Sequence, residues 1–194
     1  MTKQFARLTL LTVLVMGLGL FTPNAVAHPP EPLRIVNHYT GMVVDVPPPT
    51  DFVFTVLWPY WGGANQQFDL VKVDPNNPNS DVLFKVKQNG QCLDVNNASA
   101  DDGARVQTFG CHGGPSQRWF FQTVNDPYVV CQPWTFCDNV RTVIRARHSG
   151  KCLDAGNPGP SLANRPKQGA ALQQWTCFNN VNQFWDIHGG HGPH

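Results

Sequence analysis

The fold is decided by a six-residue segment that occurs three times, as Gly41-Met42-Val43-Val44-Asp45-Val46, Gly90-Gln91-Cys92-Leu93-Asp94-Val95 and Gly150-Lys151-Cys152-Leu153-Asp154-Ala155. Each copy places a turn glycine before an apolar run that contains an aspartate. A second shared segment follows each copy, as Asn65-Gln66-Gln67-Phe68, Ser116-Gln117-Arg118-Trp119 and Asn182-Gln183-Phe184-Trp185. From the aspartate to the glutamine that precedes the aromatic residue, the spans are 21, 23 and 29 residues. The chain therefore contains three tandem repeats whose lengths differ by loop insertions.

The apolar runs within the repeats are short, rich in β-branched residues and bounded by Gly, Pro and Asn, which predicts β-strands at 43–46, 53–57, 82–86 and 143–144. A repeat of several short strands cannot bury its own apolar face, so the three repeats must share one core. Closure around a pseudo-threefold axis also removes exposed sheet edges. We therefore predict an all-β fold, with Phe68, Trp119 and Trp185 in the core.

Residues 1–27 are predicted to be a signal peptide. It begins with two positive charges, Lys3 and Arg7, and continues with an apolar run at residues 8–21. It ends with a cleavage site of small residues, Ala25-Val26-Ala27. The 14-residue apolar run is shorter than the roughly 20 residues of a membrane-spanning helix, so no membrane span is predicted. An uncleaved anchor is the alternative. We expect a secreted, extracellular protein whose mature chain of 167 residues begins at His28.

The composition excludes several functional classes. Charged residues make up 14% of the chain, well below the roughly 25% of an ordinary soluble domain. After removal of the signal peptide, 12 basic and 13 acidic residues remain, so the sequence predicts no nucleic-acid partner. No Ser-His-Asp pattern, Cys-x-x-Cys pair or phosphate loop occurs, and no cofactor is predicted.

All six cysteines lie in the exported part of the chain. An even number of cysteines in an oxidising compartment favours disulfides over zinc ligation. Two pairs fall at equivalent positions of the second and third repeats, where the first repeat has Val43 and Tyr60, so both partners are missing together. The remaining two cysteines would pair across the second linker. The predicted disulfides are Cys92–Cys111, Cys152–Cys177 and Cys131–Cys137.

The order Gly-x-Cys-Leu-Asp, Gln-x-aromatic-x-Cys and Asn-Gln-x-Trp resembles the ricin B-type lectin family over residues 34–187. The specific match is in the third repeat, at Asp154, Gln173-Gln174-Trp175-Thr176-Cys177 and Asn182-Gln183-Phe184-Trp185. The resemblance implies a β-trefoil with repeats at about 34–73, 83–124 and 143–187, between an N-terminal segment 28–33 and a His/Gly-rich tail 188–194. It also implies binding of galactose-type or related glycans and glycoconjugates, in one shallow pocket per repeat.

The third repeat matches the family's binding positions best. Asp154 corresponds to the carboxylate that accepts sugar hydroxyls, Trp175 to the aromatic platform and Asn182 to a sugar-binding amide. Gln173 and Gln183 correspond to supporting amides, although a structural role is favoured for Gln183. A sugar has a C–H face that suits an aromatic ring and an edge of hydroxyls that suits a carboxylate and an amide. The alternatives are a turn-capping role for Asp154 and a packing role for Trp175.

The other two repeats match less completely. In the second repeat, Ser116 replaces the expected Asn and shortens the amide reach. In the first repeat, Val56 replaces the glutamine that precedes the platform position. The candidate carbohydrate-binding residues of these repeats are Asp94, Gln107, Phe109 and Gln117 in the second, and Asp45, Trp58, Asn65 and Gln66 in the first.

No enzyme is predicted. A glycoside hydrolase needs one carboxyl in an apolar pocket that raises its pKa, whereas Asp94 and Asp154 are expected on turn-like loops. The tail histidines His188, His191 and His194 are separated by glycines, so they have no fixed geometry for a metal and no metal site is predicted.

Two further function classes remain open. The protein could be the binding subunit of a secreted toxin or enzyme complex, like the A and C subunits of cytolethal distending toxins, which resemble ricin B-type lectins. It could also be a trefoil used only for protein interaction. In either class, residues 58–62 with Trp134 and Phe136 are the candidate interaction surface.

Overall fold

The protein forms twelve β-strands and three short 3-10 turns within the residues that the computed structural model describes, which are 31–48, 54–129, 138–156, 163 and 165–189. The strands are β1 (Arg34–Asn37), β2 (Val43–Asp45), β3 (Val56–Trp58), β4 (Phe68–Lys72), β5 (Val82–Val86), β6 (Cys92–Val95), β7 (Val106–Phe109), β8 (Trp119–Asn125), β9 (Val140–Ala146), β10 (Cys152–Ala155), β11 (Leu172–Trp175) and β12 (Trp185–His188). The 3-10 turns are Ala64–Gln66, Asn96–Ala98 and Pro115–Gln117. No α-helix occurs in this part of the chain, and the predicted all-β class is confirmed.

Each repeat contributes four strands in the same order. The middle two strands of each repeat form an antiparallel hairpin, namely β2–β3, β6–β7 and β10–β11. The outer strands join neighbouring repeats, because β4 pairs with β5, β8 pairs with β9 and β12 pairs with β1. Further contacts close the ring of outer strands. Leu33, which directly precedes β1, pairs with Phe68 of β4, while β5 contacts β8 and β9 contacts β12. This arrangement is a β-trefoil.

The strand predictions were correct in place, and that at 82–86 was also correct in length. The run at 143–144 is the centre of a seven-residue strand, Val140–Ala146, because all seven residues pair with β8. Backbone pairing does not require an apolar side chain, so the ladder extends through Arg141 and Thr142, which the apolar pattern omitted. The run at 53–57 begins outside the described residues, and its visible strand is Val56–Trp58.

The main hydrophobic core lies inside the ring and is shared by all three repeats. The predicted core aromatics Phe68, Trp119 and Trp185 are among its largest fully buried side chains, so this prediction is confirmed. The indole of Trp185 donates a hydrogen bond to the carbonyl of Leu153 (3.0 Å), and Trp119 donates the equivalent bond to Leu93 (3.3 Å). These bonds tie the last strand of a repeat to the strand that carries its aspartate.

The turn glycine of each repeat has the left-handed backbone that the sequence pattern indicated. Gly41, Gly90 and Gly150 have φ values of 68°, 72° and 68°. Each donates its N–H to the carbonyl four residues earlier, over distances of 2.8–2.9 Å. Glycine adopts this conformation without the steric penalty of a Cβ atom, so the three turns are equivalent in sequence and in geometry.

Two of the three predicted disulfides are confirmed. Cys92 bonds Cys111 and Cys152 bonds Cys177, with Cα–Cα distances of 5.1 and 5.2 Å. Each crosslink joins the two strands of one hairpin region, and a loop of this size contributes about 3 kcal/mol in the chain-entropy treatment. The predicted pair Cys131–Cys137 lies outside the described residues.

Several other predictions also fall outside the described residues. They are the signal peptide at 1–27, the start of the segment 28–33, the aromatic residues Trp134 and Phe136, and His191 and His194 of the tail. Within the described residues, no helix has the length and apolar character needed to cross a bilayer.

We predict that Trp185→Phe lowers the free energy of unfolding by about 1–3 kcal/mol, because it leaves the buried Leu153 carbonyl without its donor and opens a small void. Trp58→Phe, the same change at an exposed position, should alter it by less than about 0.5 kcal/mol. Denaturant unfolding of the two variants measures the difference, and equal losses would contradict the role of the buried bond.

Candidate functional site

The third repeat brings its predicted platform and carboxylate to one face of the hairpin β10–β11. Asp154 lies opposite Gln173, and Cys152 lies opposite Trp175. Side chains two residues apart on a strand point to the same side, and directly paired residues share a face. Asp154, Gln173 and Trp175 therefore face the same way, as a single pocket requires.

Amide groups surround the carboxylate of Asp154. Gln173 Nε2 donates to Oδ1 (3.1 Å), whereas Asn182 Nδ2 (2.6 Å) and Gln183 Nε2 (3.0 Å) both donate to Oδ2. All three predicted amides therefore meet the predicted carboxylate. Oδ1 accepts only one of these bonds, and a carboxylate oxygen can accept two, so the amides leave one acceptor position of Oδ1 unfilled.

Burial raises the pKa of Asp154 from its ordinary 3.8 to about 7. Asp154 lies within β10, and the residue is only 2% exposed. The amide hydrogen bonds oppose this rise, and the negative charge of Asp102 adds to it. The expectation that Asp94 and Asp154 lie on turn-like loops was wrong, because both are buried within strands.

Asn182 has a free acceptor beside this carboxylate. Its Nδ2 donates to Asp154 and to the Gly156 carbonyl (3.1 Å), which fixes the amide plane. Its Oδ1 is buried and has no hydrogen-bond partner among the described residues. A buried acceptor without a partner is costly, so a ligand hydroxyl that donates to Asn182 would be favoured.

Gln183 and its equivalents hold the turn that follows each hairpin. Gln183 Nε2 donates to the Thr176 carbonyl (3.0 Å), and its Oε1 accepts the N–H of Phe178 (2.8 Å). Gln66 and Gln117 make the same two backbone contacts in the other repeats. This common geometry is the structural role that sequence reasoning favoured for Gln183.

The second repeat presents a different set of groups. Asp94 lies opposite Gln107, and Phe109, which is 56% exposed, lies opposite Cys92. The contact to the carboxylate comes from His112, whose Nε2 lies 3.1 Å from Asp94 Oδ2. Gln117 makes its hydrogen bonds to the backbone instead, so this predicted residue supports the turn.

The first repeat surrounds Asp45 with three donors. Asn65 Nδ2 donates to Oδ1 (3.0 Å) and Gln66 Nε2 to Oδ2 (2.7 Å). Burial raises the pKa of Asp45, and hydrogen bonds from Gln66, Trp61 and Asn65 oppose that rise. Trp58 lies on the same face as Asp45, as predicted.

Sequence reasoning missed one variable position next to each pocket. Trp61, His112 and Phe178 occupy the same place, because each donates its backbone N–H to the turn glutamine of its repeat. Trp61 and His112 present ring nitrogens to the local carboxylate, whereas the Phe178 ring has none. The signal in the sequence is the equal spacing of these residues, five positions before the glutamine.

Residues 64–131 and 130–192 each match the model of a protein family that is described as ricin-type beta-trefoil lectin domain-like. The chain therefore belongs to this family, and the resemblance inferred from its motifs is confirmed. Membership of a lectin-like family supports carbohydrate binding in general. Comparison with curated protein sequences found no significant match.

Solved structures with the same architecture include a designed threefold-symmetric protein, ThreeFoil. It matches at 28% identity and a TM-score of 0.61, over 80% of this chain and 96% of that one. An exo-beta-1,3-galactanase from Clostridium thermocellum matches at 25% identity and a TM-score of 0.63, over 80% of this chain and 29% of that one. The Macrolepiota procera ricin B-like lectin, solved with lactose, matches at 17% identity and a TM-score of 0.58, over 81% and 94% of the two chains. The last likeness shows the trefoil fold alone.

We predict that Asp154 titrates with a midpoint of about 7 in the free protein. Gln173→Leu removes the donor to Oδ1, which stabilises the ionised form, so the midpoint in this variant should rise further. Carboxyl-carbon NMR of the two proteins measures both midpoints. A wild-type midpoint near the ordinary 3.8 would contradict the effect of burial.

Proposed function

We propose that the protein is a secreted lectin that binds galactose-type or related glycans, principally through its third repeat. The observation that carries this proposal is the placement of Asp154 and Trp175 on one face, next to the free Oδ1 of Asn182. A platform and two free acceptors match the two sides of a sugar ring. Family membership supports carbohydrate binding in general.

In the proposed complex, the C–H face of the sugar stacks on Trp175. Adjacent hydroxyls on the ring edge donate to Asp154 Oδ1, where the amides leave one acceptor position unfilled, and to Asn182 Oδ1 once the sugar displaces the groups that bury it. Bonds to an ionised acceptor are roughly twice as strong as neutral ones, so Asp154 supplies most of the polar recognition. The amides hold both acceptors in place before the sugar arrives, which reduces the entropy lost on binding.

The three pockets should not bind equally. In the second repeat, His112 already contacts the Asp94 carboxylate, and a sugar must share or replace that contact. In the first repeat, three donors engage Asp45, as three engage Asp154, but Val56 stands opposite Asp45 where the third repeat has the amide of Gln173. We therefore rank the third pocket first.

The exposed aromatic residues Trp58 and Trp61 fit this proposal better than a protein-partner surface. Trp58 shares the face of Asp45, and Trp61, which is 64% exposed, interacts with the same carboxylate. These rings therefore border the first pocket, where a sugar could use them. A toxin or enzyme partner remains the alternative that a pull-down from culture supernatant would reveal as a stoichiometric second protein.

We predict that Asp154→Asn and Trp175→Ala each weaken galactoside binding by the mature chain at least tenfold. The first change places an amide against the donors of Gln173, Asn182 and Gln183, and the second removes the platform. Isothermal titration after a glycan-array screen gives the affinities. Asp94→Asn is the matched control, because it makes the same change in the second pocket and should leave the strongest site intact.

Two outcomes would contradict this assignment. Full binding by Asp154→Asn and Trp175→Ala, with loss in Asp94→Asn, would transfer the main site to the second repeat. Absence of any glycan ligand for the folded wild-type chain would reject the lectin function itself.

The affinity of the third pocket should rise with pH. The free pocket holds a proton on Asp154 below its pKa of about 7, and a protonated carboxyl accepts hydroxyls more weakly. If only the ionised form binds, affinity falls about a hundredfold between pH 8 and pH 5. Titrations across this range measure the change, with circular dichroism to confirm folding, and a flat profile would contradict the role of the carboxylate.

A further inference from the structure

A loop of the second repeat is bonded directly to the strand that carries the third pocket. Gly103 donates its N–H to the carbonyl of Gln174 (2.9 Å), and Gln174 donates its own N–H to Ala104 (2.8 Å). The side chain of Gln174 also donates to the carbonyls of Ser99 (2.7 Å) and Asp101 (3.0 Å). Four hydrogen bonds therefore fix residues 99–104 against β11.

This loop places Asp102 beside the platform residue. Asp102 Oδ1 accepts the backbone N–H of Thr176 (2.7 Å) and a bond from Lys151 Nζ (2.6 Å). Its Oδ2 accepts the hydroxyl of the same threonine (2.9 Å). Thr176 directly follows Trp175, so this carboxylate is held one residue from the proposed sugar platform.

The backbone at Gly103 lies against the edge of that platform. A Cβ atom on Gly103 would be 3.4 Å from Trp175 Cζ3 and 4.0 Å from Gln173 Oε1. Gly103 also has a φ of 85°, a conformation that side chains disfavour. A residue without a side chain thus fits at position 103, where the second repeat approaches Trp175 and Gln173 of the third repeat.

Negative charges outnumber positive ones where residues 99–104 contact β11, because Asp102 and Asp154 have one bonded cation, Lys151, between them among the described residues. Partial burial would raise the pKa of Asp102, but the bonds from Lys151 and Thr176 outweigh it and lower that pKa, so Asp102 is ionised at neutral pH. Its charge also acts on Asp154. The two carboxylates therefore interact through their charges, and Lys151 is the one cation bonded to either of them in the described part of the chain.

We propose that the third pocket is a composite of two repeats, in which Asp102 of the second repeat selects neutral saccharides over acidic ones. This inference rests on the proposed function. A carboxylate or sulfate on the bound saccharide would enter the field of two like charges with one compensating cation. A neutral saccharide has no such penalty, and its hydroxyls can donate to the free acceptor capacity of Asp102 Oδ2.

The test compares a neutral and an acidic ligand, lactose and sialylated lactose, by isothermal titration with the mature chain at pH 8. The two ligands also differ in size, but that difference is the same for every variant, so the change in preference between variants reports the charge. Wild type should bind lactose at least tenfold more tightly than the sialylated form. Asp102→Asn keeps an acceptor for Thr176 but removes the charge, so this preference should shrink at least fivefold. Asp101→Asn is the matched control, because its carboxylate accepts a bond from Ser99 and should change the preference less than twofold.

Lys151→Gln provides a second variant in case Asp102→Asn does not fold. It removes the compensating cation, so the preference for the neutral ligand should increase. The inference is overturned if wild type binds both ligands equally, if Asp102→Asn retains the wild-type preference, or if Asp101→Asn reduces the preference equally. Failure of wild type to bind any glycan would instead reject the proposed lectin function.

Discussion

The amide group of one glutamine per repeat connects the core to the candidate binding site. Gln66, Gln117 and Gln183 each clamp the turn after their hairpin through one donated and at least one accepted backbone hydrogen bond. The clamp fixes the chain two residues before the core aromatic, Phe68, Trp119 or Trp185. The same clamp sets where the hairpin residues lie relative to the turn. Because this amide serves both purposes, the three repeats share one architecture even where their pockets differ.

The pockets diverge at positions that the fold leaves free. The place occupied by Trp61, His112 and Phe178 has a conserved backbone bond but a variable side chain. A ring nitrogen there engages the local carboxylate in the first two repeats, whereas in the third repeat amides alone hold Asp154. The trefoil thus presents three chemically distinct pockets on one nearly symmetric core.

Much of the third pocket was predictable because its residues lie at fixed spacing within one repeat. Asp154, Gln173, Asn182 and Gln183 do converge, as the resemblance implied. The raised pKa of Asp154 was not predictable, because it depends on how completely neighbouring strands exclude water from the carboxylate. The contact of His112 with Asp94 was missed for a similar reason, since a side-chain rotamer decides it and spacing does not.

The sequence by itself determined the three repeats, the all-β class, the core aromatics and the two hairpin disulfides. These features follow from residue order within one repeat, where short-range pattern and turn chemistry are sufficient. Only the tertiary structure decided which repeats touch, and therefore that Asp102 bonds Thr176 and Gly103 lies against Trp175, although each pair is more than seventy positions apart in the chain. Such contacts depend on closure of the ring of strands, a property of the whole chain that no local pattern encodes.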